Sequence, residues 1–171
     1  AEGTLAALFS SEMMTEDGIL TQQGSTTFWD RSTLYALRGA FAAGHADAAL
    51  SQLHNYSERR LLGTHVPYPV EAYPEGSQRH LSGESALYCR VITEGLFGIR
   101  PSGFDSFNLK IRMPSDWDEM ALNHVKAFGK DFDIKVKRLD GQRLRIGIGC
   151  DGRLREYSVK SGQEIKNISL R

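Results

Sequence analysis

The apolar residues of this chain change their period once, near residue 105, and that change limits the fold more than anything else in the sequence. Before it they recur every three or four residues, the spacing that aligns side chains on one face of an α-helix. Leu5, Leu8, Phe9 and Met13 predict a short first helix ended by Asp17-Gly18. Leu34, Leu37, Ala40 and Phe41 predict a second, broken by Gly44, and Ala46, Ala49, Leu50, Leu53 and Tyr56 a third, with Gly63 as its stop. The second and third read as a hairpin joined by about two residues, within the usual range for packed helices. Ser82 is the expected cap of a further helix, whose stripe runs through Leu87, Val91 and Leu96 and is closed by Gly95, Gly98 and Pro101.

After residue 105 the period is two. Phe107, Leu109 and Ile111 alternate with polar residues, as do Ile134 and Val136, then Leu144, Ile146 and Ile148. Leu154, Tyr157, Val159, Ile165 and Ile168 continue the pattern less regularly, and Asp140-Gly141, Asp151-Gly152 and Ser161-Gly162 supply hairpin turns. About six short strands at this spacing predict a small antiparallel sheet or sandwich. The expected class is therefore α+β, with a helical part over residues 1–104 and a β part over residues 105–171.

Composition removes several functions. The 21 basic residues are matched by 21 acidic ones, which argues against a nucleic-acid or anionic-membrane surface. The densest basic runs, Lys135-Val136-Lys137-Arg138 and Arg143-Leu144-Arg145, alternate with apolar residues and read as the wet face of strands. No apolar run approaches the ~20 residues of a membrane-spanning helix. Ala1-Glu2-Gly3-Thr4 lacks the basic start of an uncleaved signal peptide; a processed N-terminus would look the same, so periplasm or secretion stays open beside the cytoplasm. Cys89 and Cys150 have no metal-ligand spacing, and Cys89 reads as a small buried hydrophobe on its helix. No phosphate loop, dinucleotide fingerprint or metal constellation is present, so no cofactor is expected.

Chemistry concentrates in residues 64–80, where Pro67, Pro69, Pro74 and Gly76 exclude a helix while Tyr68, Glu71, Tyr73 and Glu75 crowd together. Aromatic faces stack on the axial C–H groups of a pyranose, and a carboxylate beside them binds sugar hydroxyls or activates water as general base. A structured loop with solvated acids and gap-filling tyrosines would show the same residues. The next segment tips the balance. It runs from His80-Leu81-Ser82-Gly83-Glu84-Ser85 through Tyr88-Cys89-Arg90 to Glu94-Gly95-Leu96-Phe97-Gly98-Ile99-Arg100-Pro101, with Met113-Pro114-Ser115-Asp116-Trp117 later.

This order resembles the closing helix of six-hairpin glycosidases, and is most similar to the α-L-rhamnosidases and the cellobiose and chitobiose phosphorylases. The similarity covers residues 65–138 well and residues 28–62 more weakly. It implies the last hairpins of an α/α toroid followed by an antiparallel β-sandwich, acting on an oligo- or polysaccharide. In inverting members two carboxyl groups face each other ~6.5–9.5 Å apart with water between. The general acid there comes from a helix earlier than anything in this chain. The resemblance therefore implies a C-terminal portion or subunit, inactive alone, that needs an upstream helical part or a partner chain.

The general base of rhamnosidase-like members comes from a loop before the last helix. That place belongs here to Glu71 first, then Glu75, then Glu84. Tyr68, Tyr73, His80, Glu84 and Trp29 are the expected sugar contacts. Trp29-Asp30-Arg31 lines a subsite on this reading, or else supplies a capping Asp with the Trp in the core. The resemblance also allows a phosphorylase, with His80, Ser82 and Ser85 at a helix start holding phosphate. Glu84 at that same start would repel the phosphate, which favours hydrolysis. A non-catalytic carbohydrate-binding chain is the third alternative. His45 and His54 are assigned no role, His124 a structural one, Arg90 and Glu94 an intrahelical ion pair, and Glu94, Gly95 and Gly98 packing against the β part.

Overall fold

The computed structural model describes residues 2–27, 29–62, 68–71 and 82–171, with nothing said of the Ser82 side chain. The chain is α+β and divides into two compact units, Ala1–Leu96 and Phe97–Arg171. The helical unit holds α1 (Glu2–Leu8), α2 (Asp30–Ala43), α3 (Ala46–Tyr56) and α4 (Ser82–Arg90). The β unit holds β1 (Ile99–Pro101), β2 (Ser106–Leu109), β3 (Glu119–Ala127), β4 (Lys130–Asp140), β5 (Arg143–Cys150), β6 (Arg153–Lys160) and β7 (Ile165–Ser169).

The stripe of α2 is buried as its spacing predicts: Leu34, Leu37, Ala40 and Phe41 are all inaccessible to solvent. Each large side chain in it contributes roughly 1.5–3 kcal/mol relative to exposure. Gly44 ends the helix at a left-handed φ of 99°. Its N–H reaches the Phe41 carbonyl at 2.9 Å while the His45 N–H reaches that of Ala40 at 3.0 Å, so α3 starts after a two-residue connection. Thr33 of α2 also receives the Ile19 N–H at 3.1 Å, fixing the Met14–Ile19 bridge against the helix.

Both α3 and α4 run on into wide π-helical turns, Ser57–Leu62 and Val91–Leu96. The Ser57 hydroxyl donates to the Leu53 carbonyl at 2.6 Å, so it accepts its contact with the Tyr88 hydroxyl at 2.8 Å. The single helix that the sequence predicts through Leu96 is thus an α-helix followed by a wider turn.

Other expectations need correction. The first helix stops at Leu8 and buries only Leu5, because the chain turns at Ser10 to form the bridge at Met14. Cys89 is exposed, since the inward face of α4 is set by Glu84, Leu87 and Val91. Gly95 packs within the helical unit: a Cβ there would meet Phe41 at 3.3 Å and the Arg38 backbone at 3.4 Å. Glu94 spans Arg90 and Arg38, the latter at 2.9 Å, so the intrahelical pair is present and extended to α2.

In the β unit, β1-β2-β7 form one antiparallel sheet and β3-β4-β5-β6 a four-stranded meander. Seven strands replace the roughly six expected. β1 is too short and Pro-terminated to show a period, and β3 is interrupted by a register shift between Leu122 and Val125. Phe107 stacks on Phe132 at 5.4 Å and on Phe128 at 5.5 Å, joining residues of both sheets in one core with Ile134, Val136, Leu144, Ile146 and Ile148. The turn glycines expected after Asp140, Asp151 and Ser161 are in place, and Asp151-Gly152 has the positive φ pair, 50° and 72°, of a two-residue hairpin.

Two predictions follow from these contacts. Gly98 has a φ of 64° and its Cα faces the Lys110 carbonyl so closely that a Cβ would overlap it. Gly98→Ala is therefore expected to lower unfolding free energy by about 2–4 kcal/mol in denaturant titration. On the surface, hydrogen bonding to Arg143 holds the Asp140 carboxyl below its ordinary value, and Lys130 does the same for Asp151. A carboxylate depressed by folding adds stability above its unfolded value and loses it as pH falls through the lower folded one. Arg143→Gln is expected to raise the Asp140 midpoint in a carbon-detected pH titration and leave that of Asp151 unchanged.

Candidate functional site

Three charged residues of the helical unit lie in phase with apolar stripes. Asp30 precedes Leu34, Leu37 and Phe41; Arg60 follows Leu53 and Tyr56; Glu84 precedes Leu87 and Val91. All three are buried. A charge in that position needs a partner, and the partners build the site.

Asp30 opens α2 and is fully buried, with Arg60 Nη2 at 3.3 Å from Oδ1 and 3.4 Å from Oδ2. Its Oδ2 also accepts the Val70 N–H at 2.6 Å. Tyr56 lies alongside: burial, and then the Asp30 carboxylate, push its phenol far above the usual range, so it stays neutral. The alternative of a capping Asp with a buried Trp is thereby reversed. Trp29 occupies the cap position with no side-chain cap bond and is 39% exposed.

One residue on, Arg31 crosses to α4. Its Nε and Nη2 reach Glu84 Oε1 at 2.7 and 2.6 Å, with side-chain exposures of 47% for Arg31 and 3% for Glu84. Glu84 holds the Arg31 guanidinium above its ordinary value, and Glu71 and Tyr35 add to the effect in smaller part. Glu71 is itself exposed, on the segment that the Asp30–Val70 bond secures.

The structure therefore brings Trp29, Arg31 and Glu84 to the first turns of α2 and α4, with Glu71 next to the Val70 that bonds Asp30. Glu71 is exposed, and its neighbour Val70 is bonded to the first residue of α2. Tyr68 is half-buried. Glu84 is committed to Arg31 and shielded from open water, so it is less suited than the exposed Glu71 to activating a water. The expectations for Glu75, Tyr73 and His80 lie outside the described residues, as does the side chain of Ser82. Ser85 is half-buried on α4.

Arg60 is the residue that sequence reading missed; for Asp30 and Arg31, read as a subsite or a helix cap, it missed the buried pair with Arg60 and the bridge to Glu84. The in-phase charges on apolar stripes were the available signal. Among the described residues no group of His, Cys, Asp and Glu is placed to hold a metal ion, and no helix is long and apolar enough to cross a membrane. His45 and His54 are exposed, and His54 pairs only with Glu58, at 3.4 Å, among the contacts described. His124 sits at the β3 irregularity with a φ of 55°, its N–H donated to Asp133 at 2.8 Å. The surface depression over Lys135, Arg145, Gly147, Leu154 and Glu156 on the β unit mixes both signs of charge and is lined by no aromatic residue. In comparisons with known proteins, no family model, no curated protein and no solved structure matches the chain.

Removing the guanidinium from Arg31 strands the buried Glu84. Arg31→Met is expected to lower the denaturation midpoint, by less than the loss of a fully buried pair would, because Arg31 is half exposed. Arg31→Met with Glu84→Leu should recover most of the loss, measured as a double-mutant cycle in chemical denaturation.

Proposed function

We propose that this chain is the C-terminal part of a glycoside hydrolase that cleaves a glycosidic bond by an inverting, two-carboxylate mechanism, with Glu71 as general base. The reading starts from the sequence resemblance to six-hairpin glycosidases, whose α/α toroid and terminal β-sandwich would account for the helical unit and the two sheets. What supports it is the Asp30–Val70 hydrogen bond, which ties the residue before the exposed Glu71 to the start of α2, where Arg31 follows Asp30.

Glu71 would take a proton from water on one face of the sugar, while the general acid, from helices outside this chain, protonates the leaving oxygen on the other. Arg31 has donors beyond the two used on Glu84 and would orient sugar hydroxyls. Trp29 and Tyr68 would offer apolar faces to the ring. Among the described residues Glu71 and Glu84 outnumber Arg31, a balance that favours hydrolysis over phosphorolysis because a phosphate beside them is repelled.

In the enzyme assembled with its general acid, Glu71→Gln is expected to lower kcat by about 10²–10⁴-fold with little change in KM. Turnover should not depend on inorganic phosphate. Full activity of the Gln variant would remove Glu71 as the base, and phosphate dependence would replace hydrolysis by phosphorolysis.

A further inference from the structure

We infer that Asp30 is a positioning residue, whose buried carboxylate fixes where Glu71 stands relative to Arg31. The catalytic consequence rests on the function proposed above; the tether does not.

A buried carboxylate is costly unless paired, and pairing with Arg60 alone would meet that cost. The bond to Val70 is a further constraint. Val70 is fully buried and lies 40 residues from Asp30 in sequence, so its amide joins two distant segments. The residue before it, Pro69, has no N–H to offer. The residue after it is Glu71, whose Cα is one peptide, about 3.8 Å, from that of the clamped residue. Arg31 follows Asp30 directly on the rigid first turn of α2. One carboxylate thus anchors the backbone on both sides, that before Glu71 through the hydrogen bond to Val70 and that of Arg31 through the chain. An amide bonded to an ionised acceptor is also the stronger kind, and this one is short and shielded from water.

The test separates the acceptor atom from the charge. An Arg60→Met background leaves no stranded cation; within it, Asp30→Asn keeps an oxygen for the Val70 N–H and Asp30→Ala does not. Hydrogen exchange at Val70 is expected to stay slow in the Asn variant and to quicken about tenfold or more in the Ala variant. In the assembled enzyme, kcat should fall about 100-fold in the Ala variant and only a few-fold in the Asn variant, with KM nearly constant in both. Val70→Pro deletes the donor while leaving the Asp30–Arg60 pair, and should reproduce the loss of kcat should the Met background fail to fold. Exchange at Val70 that is the same in the Asn and Ala variants overturns the tether. Exchange that differs as expected while kcat does not respond overturns the positioning role. Absence of glycosidase turnover in the unaltered enzyme, with Val70 exchange still governed by Asp30, sinks the proposed function and leaves the tether standing.

Discussion

The helical unit depends on one buried charge. Asp30 is inaccessible to water and so must be met within the protein, which fixes the first turn of α2 against Arg60 in the wide turn after α3. A buried ion pair is weak evidence for net stability, because desolvation offsets much of its attraction. Its strength lies in what it forbids. Sliding α2 or α3 by one residue would leave both charges unmatched, so the register of the hairpin and the path of the segment at Val70 are set together. An acidic residue at the first turn also sits well with the helix dipole.

A second pair repeats the arrangement near the surface. Arg31 and Glu84 tie the starts of α2 and α4, and the Arg38–Glu94–Arg90 network ties their later turns. Gly95 lets the backbones between these bridges approach Phe41 closely. The two helix starts are therefore held together beside the exposed Trp29.

Much of the fold was legible because burial follows period. The α2–α3 hairpin, its two-residue connection and the strands around Ile134, Leu144 and Ile148 all come from regular stripes closed by glycines. Where geometry departs from a period, the sequence is silent. Ile99–Pro101 is too short to show alternation, the shift after Leu122 scrambles the alternation of β3, and wide turns let Val91–Leu96 keep a helical stripe without being α-helix. Cys89 shows the opposite error, an apolar residue assigned inward although Glu84, Leu87 and Val91 define the inner face. The residue types around Glu71 are what suggest a candidate site. The contacts that support that segment were not legible, because an apolar-stripe reading discounts Asp30, Arg60 and Glu84 as the exceptions in their stripes.

The most direct test of the account is to map where a sugar binds. Titrating the chain with a series of neutral oligosaccharides, followed by amide and side-chain chemical shifts, should perturb Trp29, Arg31, Tyr68 and Glu71 as a group, and a Glu71→Gln variant should bind with similar affinity. Perturbations confined to the outer face of the β3–β6 sheet, or none with any sugar of the series, would contradict a carbohydrate site at the helix starts.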